Sequence, residues 1–193
     1  YDPAAAEKIL QSDGWKKRSD GIYIKNGKPC EVTFWFNSNN TQEKAIAEAI
    51  QSDLAKVGIR MNIRGEEKQA YLDRQRTGKF DMQYSLSWGA PYDPQSYFSS
   101  WRIPAHGDFQ AQTGLPDKAL IDREITSLMT EQSETKRAAM IRDILTRIHD
   151  SAVYVPISYS RTKAVYRTSL SGVGFRVSQY EIPFEDMFFK DAK

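Results

Sequence analysis

Hydrophobic and polar positions along the chain change period several times, and those changes predict its elements. Residues 31–36 alternate, with Val32, Phe34 and Phe36 on one side and Thr33 and Trp35 on the other, which predicts a strand. Asn40, with Glu43 three positions later, matches a capping box. Ile46, Ile50 and Leu54 then recur at helical spacing as far as Gly58. Ile59, Met61 and Ile63 alternate with Arg60, Asn62 and Arg64 as a second strand. Strand, helix and strand with short connections make a βαβ unit, which implies parallel pairing and a right-handed crossover. A further helix over about residues 66–77 leads through Gly78 to a third alternation of Phe80, Met82, Tyr84, Leu86 and Trp88.

Around this centre the signals are more local. "YDPAAAEKILQSDG" reads as a helix: Asp2 caps it, Pro3 suits its first position and Gly14 its left-handed end. "RSDGIYIKNGKPC" has two Gly turn signals around Ile22–Ile24, a small hairpin. Residues 87–116 are rich in Gly, Pro and aromatics and read as irregular. Two helices follow, one placing Ile121, Ile125 and Leu128 on a face, the other Ile141, Leu145 and Ile148. Residues 153 to about 167 read as strand-rich, with Pro156 marking an edge or bulge. The pattern is that of one α/β unit with an aromatic C-terminal tail.

Composition narrows the function classes. The 193 residues are 40% hydrophobic and 27% charged, enough for a sizeable core and unlike a disordered chain. Net charge is +2 and no basic stripe stands out, so nucleic acid and anionic membrane surfaces are poor partners. No apolar run reaches a membrane-spanning length. Cys30 is the single cysteine and cannot form an internal disulfide. A start at Tyr1, directly on a helix signal, reads as a piece of something longer. No GxSxG elbow, GxGxxG loop or GxxxxGK[ST] loop occurs, so nothing argues for an enzyme. Glu66 and Glu67 read as helix-start carboxylates favouring the helix dipole.

The histidines hold the remaining chemistry. A borderline metal needs about three or four nitrogen or sulfur ligands from the protein, and two histidines with one cysteine barely reach three. His149 sits near a helix C-terminus, where an imidazole complements the dipole. His106, in "RIPAHGDF", lies among turn-formers and is either a solvent-facing loop residue or a ligand. If it is a ligand, the metal must arrive with most of its coordination sphere already supplied. Trp88 continues the third alternation and is either that strand's last core residue or the wall of a site. Tyr92 precedes Asp93-Pro94 and projects from a rigid turn; together the two aromatics would form a flat-walled pocket mouth.

The blocks "YDPAAAEKILQSDGW", "GEEKQAYLDRQRTGKFDMQYSLSWGAPYDP", "SSWRIPAHGDFQAQTGLPDKALIDREI", "IRDILTRIHDSAVYVPISY" and "EIPFE" carry a resemblance. They resemble extracytoplasmic solute-binding proteins of the oligopeptide, dipeptide and nickel class, and the later blocks look like its nickel-binding members. The resemblance implies an α/β fold: a mixed sheet with flanking helices, one lobe of a type II periplasmic-binding-protein fold. Residues 1–193 would be the C-terminal ligand-binding lobe of a longer two-lobed protein, with about 168–193 returning towards the other lobe. It further implies a monomer, periplasmic or tethered outside the cytoplasm and peripheral to the membrane, that hands its ligand to an ABC importer permease. The ligand would be Ni(II) with an organic chelator such as free histidine or a polycarboxylate. His106 would ligate the metal, and Trp88 and Tyr92 would pack around the chelate.

The same resemblance keeps a second ligand class open, a peptide or another metallophore complex. Peptide-binding relatives keep an acidic residue three positions after the equivalent of Trp88, pairing with the peptide ammonium. Here Pro91 stands there, and Asp93 reads as bonded to its own turn, so a buried ammonium would lack that partner. Some nickel-binding members have a tyrosine facing the chelate where Leu72 stands. Tyr71 is one residue earlier, about 100° away around a helix.

Overall fold

The structure, a computed structural model, describes residues 1–86, 93–159, 161, 163–177 and 181–190. The chain divides into two compact units, Tyr1–Leu86 and Ser87–Lys193.

In the first unit, helix α1 (Pro3–Ser12) begins as its sequence predicts, with the Asp2 carboxylate accepting from the Ala5 amide at 2.9 Å. It ends in a Schellman motif: Gly14 N donates to Gln11 O and Trp15 N to Leu10 O, with Gly14 at φ 84°. Strands β1 (Lys16–Lys17), β2 (Tyr23–Lys25) and β3 (Lys28–Pro29) form a small antiparallel sheet. Asn26 and Gly27, both at positive φ, turn β2 into β3, the geometry that matches strand twist.

The βαβ unit follows as β4 (Glu31–Asn37), α2 (Thr41–Lys56) and β5 (Arg60–Glu66). β4 and β5 pair in parallel from Glu31 opposite Arg60 to Asn37 opposite Glu66. Phe34 and Phe36 are buried with Ala47 and Met61, and Ile50, Leu54, Ile63, Met82 and Tyr84 pack against them. The Asn40 side chain accepts from the Gln42 and Glu43 amides. Glu43 completes the box differently, accepting from the Asn37 amide and the Asn40 side chain, both at 2.9 Å. On the opposite face of β4, Arg74 of α3 (Lys68–Thr77) lies 3.4 Å from the Trp35 ring centroid and binds both Glu66 oxygens. That guanidinium holds the Glu66 carboxyl below the usual carboxylate range.

The third strand is shorter than its alternation predicts. β6 is Met82–Gln83, paired in parallel with Phe34 and Trp35, and Leu86 is exposed. Alternate amides of a strand point to the same edge, and the β6-side amides of β4 are capped by carboxylates. Asp81 accepts from Thr33 N at one end and Glu43 from Asn37 N at the other, so only the middle of that edge remains for pairing.

Gly58 joins these layers. At φ 74° it ends α2, and its carbonyl accepts from the amide of Tyr23, which is fully buried. A Cβ there would lie 2.5 Å from the Gly21 carbonyl oxygen and 2.8 Å from the Tyr23 ring. Gly58→Ala is therefore expected to destabilise the protein by more than the roughly 1–2 kcal/mol of a left-handed alanine. Urea unfolding should show a lower midpoint with an unchanged slope, and an unchanged midpoint would contradict this packing.

The second unit is helical at its core. It contains α4 (Pro94–Ser100), α5 (Gly107–Gln112), α6 (Lys118–Leu128) and α7 (Glu134–Asp150). Phe98, Trp101, Ile121, Ile125, Leu128, Ile144 and Ile148 form the buried cluster. The α6 face is the one its spacing predicts. On α7 the buried stripe is Ile144 and Ile148 with Ile141 at its margin, whereas Leu145 is 43% exposed. Ile141 starts two overlapping helical stripes, one through Ile144 and one through Leu145, and the α6 side chains meet the first. His149 lies in the last turn of α7, exposed, with Nδ1 3.1 Å from the Asp150 carboxylate.

The strand-rich expectation for 153–167 is not met: none of its described residues joins a ladder. Val153 and Tyr154 pack against the helical core, while Val155, Tyr159 and Val165 are exposed. β-branched and aromatic content makes a strand only where a partner edge is within reach. The last ladder pairs β7 (Leu170–Ser171) with β8 (Phe188–Phe189), antiparallel.

Candidate functional site

Two of the three candidate residues, Trp88 and Tyr92, lie outside the described residues, as does Pro91. The stretch they begin is less irregular than its composition predicts, since α4 and α5 occupy much of it. Asp93 accepts from the Gln95 amide at 3.0 Å and Pro94 takes the first helical position, repeating the Asp2-Pro3 device of α1. This is the bond to its own turn that the sequence predicts for Asp93.

His106 is partly buried at the N-cap of α5. Its amide donates to Ile103 O at 2.9 Å, closing the turn through Pro104, and its carbonyl accepts from Gln110 N. The Gln110 side chain reaches back to Pro104 O at 2.6 Å. Further along α5, Asp108 accepts from Ser100 Oγ at 3.0 Å and from the Tyr154 hydroxyl at 3.1 Å. Gln112, fully buried, donates to the same Tyr154 oxygen at 2.9 Å. Tyr154 stacks on Trp101, ring centroids 6.0 Å apart, and Trp101 packs against Phe98 at 4.8 Å. Burial and the neighbouring Asp108 charge push the Tyr154 phenol well above its ordinary range, and push Tyr97 up to about 12. Both phenols stay neutral at any physiological pH.

None of Ser100, Asp108, Gln112 and Tyr154 was legible as part of a site. Their residue types are ordinary, and the bond from Asp108 to Tyr154 spans 46 positions. In the first unit Leu72 is exposed on α3, while Tyr71 is buried and burial beside Glu43 and Tyr84 raises its phenol. Tyr71 therefore does not share the face of Leu72. Among the described residues, no three His, Cys, Asp or Glu side chains converge as a metal site, and no helix is long and apolar enough to cross a membrane. What the loop offers is one imidazole on a short helix tied to a buried aromatic core.

Residues 1–109 match the family described as bacterial extracellular solute-binding proteins, family 5, middle. The chain belongs to that family. It is 43% identical over 188 residues to the nickel-binding periplasmic protein of Escherichia coli (strain K12), covering 97% of this chain and 36% of that protein. The crystal structure of NikA from Brucella suis, in complex with Fe(III)-EDTA, superposes with a TM-score of 0.92 at 43% identity. That match covers 98% of this chain and 38% of that one. Di/tripeptide-binding protein 4 of Pseudomonas aeruginosa (strain UCBPP-PA14) is more distant, 26% identical over 89% of this chain and 31% of its own length. The chain thus spans little more than a third of the nickel-binding relative and of NikA, and its α/β fold is part of a lobe of the type II periplasmic-binding-protein architecture.

Proposed function

We propose that this chain is the C-terminal lobe of a solute-binding protein that captures nickel as a chelate outside the cytoplasm and delivers it to an ABC importer permease. Residues 1–193 form that lobe, with about 168–193 returning towards the other one. The protein binds and releases its cargo without transforming it, acting as a monomer peripheral to the membrane. The observation that carries the reading is the 43% identity, along nearly the whole chain, to a relative named for nickel binding.

His106 supplies a neutral imidazole nitrogen to a Ni(II) ion that already carries a small chelator, free histidine or a polycarboxylate. Trp88 and Tyr92 supply apolar walls for the chelate. Two features support a pre-chelated cargo. These 193 residues have only two histidines and one cysteine, so this lobe supplies at most a small part of a Ni(II) coordination sphere beside His106. The 43% identical NikA was crystallised with a metal wrapped in a polycarboxylate chelator.

A peptide, or another metallophore complex, is the second reading, favoured by the di/tripeptide-binding relative. Calorimetry of the intact protein separates the readings. Ni(II) with histidine is expected to bind more tightly than Ni(II) alone, with no heat from a dipeptide. Mass spectrometry of the ligand that co-purifies should find nickel; a bound peptide and no nickel would overturn the proposal.

A further inference from the structure

We propose that Asp108, with Tyr154, is the positioning residue of the His106 loop: its carboxylate holds the first turn of α5 against the core and so fixes the direction in which His106 meets its ligand. This rests on the reading of His106 as the metal-binding residue. The need for such a device follows from the helix itself. α5 has six residues, far below the length at which a helix holds its own shape in water. The turn before it contains Pro104 and is closed by local bonds, which shape the loop. A metal ligand must be held to about half an ångström, so a helix this short needs attachment to the core.

Side chains on α5 supply the attachment. Asp108 takes two hydroxyl donors from different parts of the chain, Ser100 on α4 and Tyr154 after α7. Gln112, at the far end of α5, converges on the same Tyr154 oxygen. That single hydroxyl therefore fastens both ends of the short helix. It is itself immobilised, because its ring lies on Trp101 inside the buried cluster. Ser100 is 2% exposed, and its single hydroxyl proton is shared between Tyr97 O at 2.8 Å and Asp108 at 3.0 Å, which makes it the weaker of the two anchors. Phe109 adds a weaker hold under the Lys118 ammonium, 4.8 Å from its ring centroid.

The test uses Asp108→Asn, Tyr154→Phe and the pair together in the intact protein, with His106→Ala beside them, titrated with Ni(II)-histidine. Each single variant is expected to weaken binding about tenfold, the range for groups that orient metal ligands. The double variant should lose less than the product of the two single losses, because both remove the Asp108–Tyr154 bond and each removes only one further contact of its own. X-ray absorption at the nickel edge should show a reduced or disordered protein imidazole contribution, which a purely structural role would leave intact in the bound fraction. Wild-type affinity and an unchanged nickel spectrum in Asp108→Asn and Tyr154→Phe would overturn the positioning role. If Asp108→Asn does not fold, Tyr154→Phe, which removes one oxygen, decides alone by the same criteria. If His106→Ala also binds as wild type does, the metal-binding reading falls together with this one. If only His106→Ala loses binding, the positioning role alone falls.

Discussion

Replacing His106 with alanine in the intact protein is expected to lower the affinity for Ni(II)-histidine about a hundredfold, close to 2.7 kcal/mol. In the proposed site the chelator fills most coordination positions, so the variant would lose one nitrogen ligand and keep the contacts that enclose the chelate. Residual weak binding is therefore expected rather than none. The acid side of the pH profile sharpens the test. An imidazole binds metal only when its nitrogen is deprotonated, so a proton and Ni(II) compete and affinity falls as pH falls. Free histidine also takes up protons in acid, and that part of the profile should persist in His106→Ala. The difference between wild-type and variant profiles isolates the contribution of His106. Equal affinities and parallel profiles would remove His106 from the site.

The βαβ unit was legible because each of its signals is local. Asn40, Gly58 and Gly78 punctuate helices, and the 31–36 and 59–63 alternations survive as paired strands because their neighbours lie within one connection. Where the sequence reading overshot, a distant group had intervened. The third strand stops at Gln83 although its alternation continues, since Glu43 occupies Asn37 N, the next β4 amide that a longer strand needs. Residues 153–167 have strand composition, yet their described part joins no ladder in this chain. Asp93-Pro94 is the same signal as Asp2-Pro3 and was read as a turn because aromatics and glycine surround it.

For the site, composition singled out His106 and resemblance gave it a role, but its support was out of reach. The groups that hold α5 are a serine on the preceding helix and a tyrosine 46 residues away, each a common residue with no periodicity of its own. The residues that carry chemistry stand out because they are scarce. Those that aim them do not, and they become visible only when hydrogen bonds can be followed across the fold.

The phase of α7 supplies the second large effect. Ile144→Ala is expected to cost about 2–5 kcal/mol, the range for emptying a packed aliphatic site. Ile144 is fully buried in the cluster with Ile125 and Leu128. Its neighbour Leu145 is 43% exposed, so Leu145→Ala should cost well under 1 kcal/mol by the usual range for surface changes. Urea unfolding of the two variants thus reads the rotation of the helix directly, and a larger loss for Leu145→Ala would show the buried stripe to be misassigned. Ligand-linked stability then separates fold from site. A ligand that binds only the folded protein stabilises it according to its concentration relative to Kd. Added Ni(II)-histidine should therefore raise the unfolding midpoint of Ile144→Ala as it does that of wild type, because the loop keeps its contacts once the unit is folded. In His106→Ala the starting midpoint should be near wild type and the ligand-induced increase mostly lost. A core variant that fails to respond to the chelate would mean that Ile144 also helps to hold the His106 loop, and the division between core and site drawn here would fail.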